Sequence, residues 1–157
     1  MLKSSSDKYP GVVYLFDALT KELEAIEEIN EHLNPKLLSP VSMLRYYARD
    51  GLEIPALVTN PITQADHEAA PLIVLPHGGP HTQDQWGYHR LAQFLASRGY
   101  RVLQPNYRGS TGFSFEHQIL GVGEWGDGTL NDLIDGVDHM VSEGLADPNS
   151  VCIIGTD

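Results

Sequence analysis

Cysteine is almost absent from this sequence of 157 residues, in which Cys152 stands alone. One thiol excludes an intrachain disulfide, so the fold depends on its core rather than on cross-links. Cys152 lies inside the apolar run 151–154, which predicts a buried, unreactive side chain. No apolar run approaches the length of a membrane span, and the N-terminus has no hydrophobic signal core. We therefore expect no membrane partner and no signal peptide, with the cytoplasm as the default compartment.

Positive charge is also scarce. Lys and Arg number 10 against 21 Asp and Glu, which gives a formal net charge of −11. Nucleic acids and anionic lipids attract basic surfaces, so this balance predicts neither as a partner. The carboxylates concentrate in residues 17–31 and 127–147, which we interpret as solvated faces. Hydrophobic residues make up 41% of the chain, which is enough for a core.

The first 42 residues predict a small β unit and a linker. Residues 9–16 are rich in β-branched and aromatic side chains, as expected of a strand. Apolar and polar side chains alternate loosely in residues 21–29, which predicts the second strand of a hairpin. A short acidic helix over 21–31 is the alternative. Pro35 and Pro40 then indicate a linker. We predict a division into this unit, residues 1–42, and a second domain over 43–157.

The second domain shows an α/β pattern. Two strand candidates, 44–48 and 54–59, flank the turn signal Arg49-Asp50-Gly51. The apolar run 72–75 is typical of a strand buried on both faces. A helix that ends near Gly99 and a short strand over 100–103 follow.

The clearest helix comes later in the chain. Its apolar residues recur at helical spacing from Leu130 to Val141, between Asp127 as a candidate N-cap and Gly144 as a stop signal. The apolar run 151–154 is the next strand candidate. From residue 71 onward, alternating strands and helices predict a parallel sheet with helices on both faces, and the two earlier strand candidates form an opening hairpin before it.

Candidate chemistry lies where the predicted strands end, because ligands collect at the carboxyl ends of strands in open α/β sheets. His77-Gly78-Gly79 follows the strand 72–75, and adjacent glycines leave backbone N–H groups accessible. Such donors stabilise an oxyanion in acyl transfer, although a tight turn alone would also use glycine. Histidines 77, 81 and 89 could be considered as metal ligands, but Gly-Gly-Pro separates the first two, so we expect no metal.

Two further strand ends are informative. The loop 106–112 is rich in glycine but matches no phosphate-binding spacing, and we expect Arg108 to pair with a carboxylate rather than face a substrate. Gly155-Thr156-Asp157 has the opening of a Gly-x-nucleophile-x-Gly elbow, with Asp157 in the nucleophile position.

Four segments share a longer pattern: residues 75–81, residues 94–112, residues 123–126 with Asp132 and Gly136 beyond them, and residues 147–155. Together they resemble the prolyl oligopeptidase family of serine peptidases, in its acylaminoacyl-peptidase-like and dipeptidyl-peptidase-like subgroup. The resemblance implies the N-terminal part of an α/β-hydrolase catalytic domain. Upstream, residues 14–17 resemble a last strand pair of a β-propeller.

The same resemblance implies hydrolysis of peptide bonds in short peptides by a Ser-His-Asp triad, through an acyl-enzyme and without a cofactor. It makes the N–H of Gly79 an oxyanion donor and places His77 in the oxyanion segment. Asp157 stands where the family has its nucleophilic serine, and the family's acid and base have no counterpart in this sequence.

Three functions stay open at this point. The chain is a part of a serine peptidase that is inactive in isolation, an α/β-hydrolase or esterase with Asp157 as nucleophile, or a non-catalytic interaction module. We also expect the apolar strand 151–154 to form an exposed edge through which the chain self-associates.

Overall fold

The computed structural model describes residues 1–62 and 68–155, in which the strands form two sheets. The first sheet is antiparallel and contains β1 (Leu2–Ser6), β2 (Tyr9–Phe16) and β3 (Leu23–Glu28), with β2 in the centre. The predicted hairpin is therefore confirmed, and the helix over 21–31 is wrong. An Asx turn explains the reversal, since the Asp17 carboxylate accepts from the N–H groups of Leu19 and Thr20.

The second sheet has five strands in the order β4-β5-β7-β6-β8. The first three strands of this order pair antiparallel, whereas β7, β6 and β8 run parallel. The sheet is thus mixed, as predicted from an opening hairpin followed by parallel strands. Its strands are β4 (Val41–Tyr47), β5 (Glu53–Thr59), β6 (Ala70–Val74), β7 (Arg101–Pro105) and β8 (Ala146–Ile153).

Helices α1 (Arg90–Ala96) and α3 (Gly128–Ser142) cover opposite faces of this sheet. Successive residues of a strand point to opposite faces, so Leu72 and Val74 pack with Met140 of α3. Ile73 lies on the other face, with Leu95 of α1. Helices on both faces were predicted correctly.

Helix boundaries show two departures from the sequence pattern. Asp127 stands at the N-cap of α3, but its carboxylate accepts from the Asn131 side chain and makes no cap hydrogen bond. The short helix α2 (Phe115–Ile119) was not expected, because five residues carry too little periodicity to be recognised.

Gln93 joins the two sheets. It is buried in α1, and its side-chain amide donates to the carbonyls of Asp7 and Ser39 while accepting from the Ser39 N–H. Asp7 in turn accepts from the Val41 N–H at the start of β4. A 3-10 helix (Pro35–Leu37) lies in the segment that was predicted as a linker.

Strand β8 differs most from expectation. It begins at Ala146, and within the described residues it pairs only with β6, so it forms one edge of the sheet. Cys152 is consequently exposed, and its predicted burial is wrong. In the part of the chain that the structure describes, no helix is long and apolar enough to cross a membrane.

Candidate active site

The loops that follow β6 and β7 meet, because these strands are parallel neighbours. Together with the start of α3 they enclose a cleft of about 610 Å³. Side chains of Trp125, Leu130 and Leu133 form an apolar wall opposite Gly78 and Gly79. The sequence pattern placed these three residues in a helix or a loop and did not assign them to the site. The available signal was a hydrophobic side chain at an exposed loop position, as in Trp125.

Gly79 occupies a conformation that only glycine adopts readily, with φ of +126°. A Cβ atom there would lie 3.0 Å from the His81 nitrogen and 3.1 Å from Thr82 Cγ2. Among the described residues, neither the Gly78 nor the Gly79 N–H donates to a protein acceptor. Glycine therefore serves the turn and also leaves backbone donors unpaired beside the cleft.

His77 contacts the neighbouring loop. Its Nδ1 lies 2.9 Å from the Gly78 carbonyl oxygen, and its Nε2 lies 2.9 Å from Ser110 Oγ. The imidazole stacks on the Tyr107 ring, with centroids 4.6 Å apart. The Tyr107 hydroxyl donates to the His77 carbonyl at 2.7 Å. Both ring nitrogens of His77 are thus engaged within the protein.

Arg108 is held by carboxylates, which confirms its predicted structural role. Its Nε and Nη2 donate to Asp132, and its backbone N–H donates to the same carboxylate. Its Nη1 lies 2.9 Å from Asp50, and this hydrogen bond lowers the pKa of the Asp50 carboxyl. The ion pair therefore fixes the loop 106–112 to α3.

Asn106 and His117 support the same loop from beneath, and sequence reasoning missed both. Asn106 exchanges two hydrogen bonds with the backbone of Asp84, whose carboxyl pKa is raised by burial. His117 Nε2 lies 3.1 Å from each of the carbonyl oxygens of Asn106 and Tyr107. The Asn106 contacts join the loops that follow β6 and β7, and His117 joins α2 to the loop that follows β7.

Gly121 packs directly against the backbone of Gly109. A Cβ atom on Gly121 would lie 2.4 Å from Gly109 Cα, a distance that requires the backbone to move. We expect Gly121→Ala to lower the free energy of unfolding by about 1–3 kcal/mol, as overpacking does. Urea unfolding followed by circular dichroism would measure it, with Gly155→Ala as control, since neither glycine has a positive φ and Gly155 has no atom within 4 Å. Equal losses in both variants would show that the close packing against Gly109 is not their cause.

Two of the three histidines considered as metal ligands have other contacts. His89 caps α1 through its Nδ1, which accepts from the Ala92 N–H, and His77 is engaged as described. Within residues 1–62 and 68–155, no group of three or more His, Cys, Asp or Glu side chains could hold a metal ion.

The predicted nucleophile position, Asp157, lies outside the described residues. Strand β8 is parallel to β6, so it ends at the same end of the sheet as the cleft. The Ile154 N–H donates to the Val74 carbonyl at 2.9 Å, and Gly155 follows, exposed.

A mixed sheet with helices on both faces and a glycine turn after β6 define an α/β-hydrolase. Residues 86–156 match the prolyl oligopeptidase family model. The dipeptidyl aminopeptidase BIII of Pseudoxanthomonas mexicana is 34% identical, over 96% of this chain and 23% of its own length. Dipeptidyl peptidase family member 6 of Caenorhabditis elegans is 33% identical, over 97% of this chain and 23% of its own.

A solved structure supports the same family. A puromycin-hydrolyzing peptidase of Mycobacterium tuberculosis superposes with a TM-score of 0.82 at 27% identity, over 99% of this chain and 24% of its own. The chain belongs to the prolyl oligopeptidase family, and it spans about a quarter of the length of these relatives.

Proposed function

We propose that this chain supplies the oxyanion side of a peptidase that cleaves peptide bonds in short peptides through an acyl-enzyme. The observation that carries the proposal is the Gly79 N–H, which has no protein acceptor among the described residues and lies beside an apolar cleft. The family's relatives include proteins named dipeptidyl aminopeptidase and acylamino-acid-releasing enzyme, which supports peptides as substrates. The proposal requires no cofactor.

The chemistry of this half-site follows from where charge develops. A substrate carbonyl placed against Gly79 becomes an oxyanion as a nucleophile attacks its carbon. A backbone N–H that already points at that oxygen stabilises the charge without reorganising, and such donors contribute roughly 10²–10³-fold in rate.

Attack itself needs a nucleophile and a base. Asp157 stands in the family's serine position, and the residues that resemble the family include neither its acid nor its base. We therefore propose that the isolated 157-residue chain performs no turnover, since a triad lacking these members keeps only a small residual effect.

The test is hydrolysis of aminoacyl p-nitroanilides and p-nitrophenyl esters by the purified chain. We expect rates no higher than in buffer, and the same result for Asp157→Ser, because a serine without a base is not activated. Sustained hydrolysis that titrates with protein concentration would contradict the proposal.

Mass spectrometry after incubation with an alkyl halide or an epoxide separates the alternative in which Asp157 is the nucleophile. That alternative requires an ester adduct, formed when the Asp157 carboxylate displaces the halide or opens the epoxide ring, and Asp157→Asn should abolish it. We expect no adduct at this position.

A further inference from the structure

We propose that a groove separate from the cleft binds a peptide segment in which a basic side chain stands beside an apolar one. The groove has two halves, of about 290 and 360 Å³, and none of the residues that line them lines the cleft. Both halves are lined by Arg45, Pro55 and Phe113, so they are continuous. The proposal does not depend on the oxyanion role of Gly79, because it concerns a different surface.

The floor of the groove belongs to the β4–β5 hairpin. The register of these strands pairs Met43 with Leu57 and Arg45 with Pro55. Tyr46, one position further along β4, packs in the core beneath α3. Side chains alternate between the two faces of a strand, so these four point to the face opposite α3. Three of the four are apolar, and the floor therefore offers a nonpolar surface to a ligand.

Aromatic side chains form part of the walls. Trp86 lines one half of the groove and Phe113 lines both, and these side chains belong to residues that are 48% and 43% exposed. The Trp86 indole N–H donates to the Val41 carbonyl at 2.8 Å, and the Phe113 ring lies against the His117 ring with centroids 5.5 Å apart. Each ring is thus held in place while part of its surface stays accessible. Aromatic faces accept both apolar side chains and cations.

The charged side chains of the groove do not balance. Arg45 and Glu53 pair with each other, with Nη1 and Oε1 2.6 Å apart, so their charges cancel. Glu116 is exposed and has no cationic partner in the described part of the chain. The second half of the groove therefore carries a carboxylate that no Lys or Arg neutralises, and this charge attracts a cation.

Asp84 adds negative potential to the first half of the groove. Its Oδ2 is buried and has no hydrogen-bond partner among the described residues, and burial raises the pKa of its carboxyl. The imidazoles of His77 and His89 oppose that rise, but no Lys or Arg of the described residues pairs with Asp84. A charge away from solvent is little screened, so a cation bound in this half would stabilise the ionised form of Asp84.

Floor, walls and charge together select the class of ligand. The apolar floor and the two aromatic rings favour burial of a nonpolar side chain, whereas the two carboxylates favour a positive charge. An inorganic cation would leave the apolar surface unfilled, and a purely nonpolar ligand would leave both carboxylates without a cation. A peptide segment with an arginine or lysine next to a leucine or phenylalanine satisfies both requirements.

Proton–nitrogen NMR of the 157-residue chain tests the proposal, because its two tryptophans report on the two sites. Trp86 lines the groove and Trp125 lines the cleft. We expect N-acetyl-phenylalanyl-arginine amide to shift the indole N–H resonance of Trp86 and to leave that of Trp125 unchanged. The citrulline counterpart has nearly the same shape without the charge, and it should bind roughly fivefold more weakly. A shift at Trp125 alone, or equal binding of the two peptides, would overturn the proposal.

Two variants separate the charge of the groove from its shape. Glu116→Gln keeps the size of the side chain and removes its charge, so it should weaken the arginine peptide roughly fivefold and leave the citrulline peptide unaffected. Glu143→Gln is the matched control, since Glu143 is exposed at the end of α3 and does not line the groove. Unchanged binding in Glu116→Gln, or an equal loss in Glu143→Gln, would contradict the assignment. None of these readouts involves hydrolysis, so their failure would leave the proposed function untouched.

Discussion

Replacing Asp132 by alanine is expected to lower the free energy of unfolding by about 3–5 kcal/mol, the usual cost of breaking a buried ion pair by removing one partner. Asp132 is fully buried, and its carboxylate accepts from the Arg108 backbone and guanidinium. Without it, the Arg108 charge stays in a largely buried position with only the half-exposed Asp50 as partner. Urea unfolding followed by circular dichroism measures the loss.

A double variant separates the buried charge from the loss of packing. Arg108→Met combined with Asp132→Leu leaves no buried charge, so it should be more stable than Asp132→Ala alone. Glu53→Gln provides the exposed comparison, because its partner Arg45 is 71% exposed and such pairs contribute about 0–1 kcal/mol. If Asp132→Ala costs no more than Glu53→Gln, the ion pair does not hold the loop.

The same ion pair connects stability to the candidate site. Arg108 directly follows Tyr107 and precedes Ser110 by two residues, and both of these contact His77. The backbone of Asp132 also accepts from the buried Tyr46 hydroxyl at 2.7 Å. Loosening α3 from the loop 106–112 would therefore disturb the glycine turn, although no residue of the ion pair touches it.

The sequence predicted the elements that carry strong periodicity or long apolar runs. The helix from Leu130 to Val141 and the strand at 72–75 are examples, because burial on one or both faces leaves a regular pattern. Strand β1 left no such pattern, since Lys3, Ser4 and Ser5 lack β propensity. It is a strand because the edge of β2 offers unpaired backbone groups.

The same limit applies to the candidate site, where local features were predictable and long-range contacts were not. Two adjacent glycines after a buried strand were enough to predict the glycine turn. Its N–H donors belong to the turn's own backbone, so the prediction needed no residue from elsewhere in the chain. The contact between His77 and Ser110 joins residues 33 positions apart, and nothing local to either residue indicates it. Arg108 was expected to pair with a carboxylate, but only the fold selects Asp132 and Asp50.

Self-association through β8 is the second large effect that we expect. In the part of the chain that the structure describes, this strand has one free side, and the exposed side chains of Val151, Cys152 and Ile153 carry no charge. Unprotected, uncharged edges of this kind pair with other strands. We propose a second copy of this chain as the partner, with β8 pairing to β8. Sedimentation velocity should show dimers or larger species at micromolar concentrations.

Charge on this edge should prevent the pairing. Ile153→Lys should give a monomer, because a lysine on an edge strand must be desolvated when another strand pairs with it. Its side chain is 56% exposed, so the substitution should cost little of the fold's own stability. Met43→Lys is the matched control, since Met43 is 79% exposed on β4 at the opposite edge of the sheet. If Met43→Lys rather than Ile153→Lys produces the monomer, the copies associate through β4, and a monomeric wild-type chain would reject association through either edge.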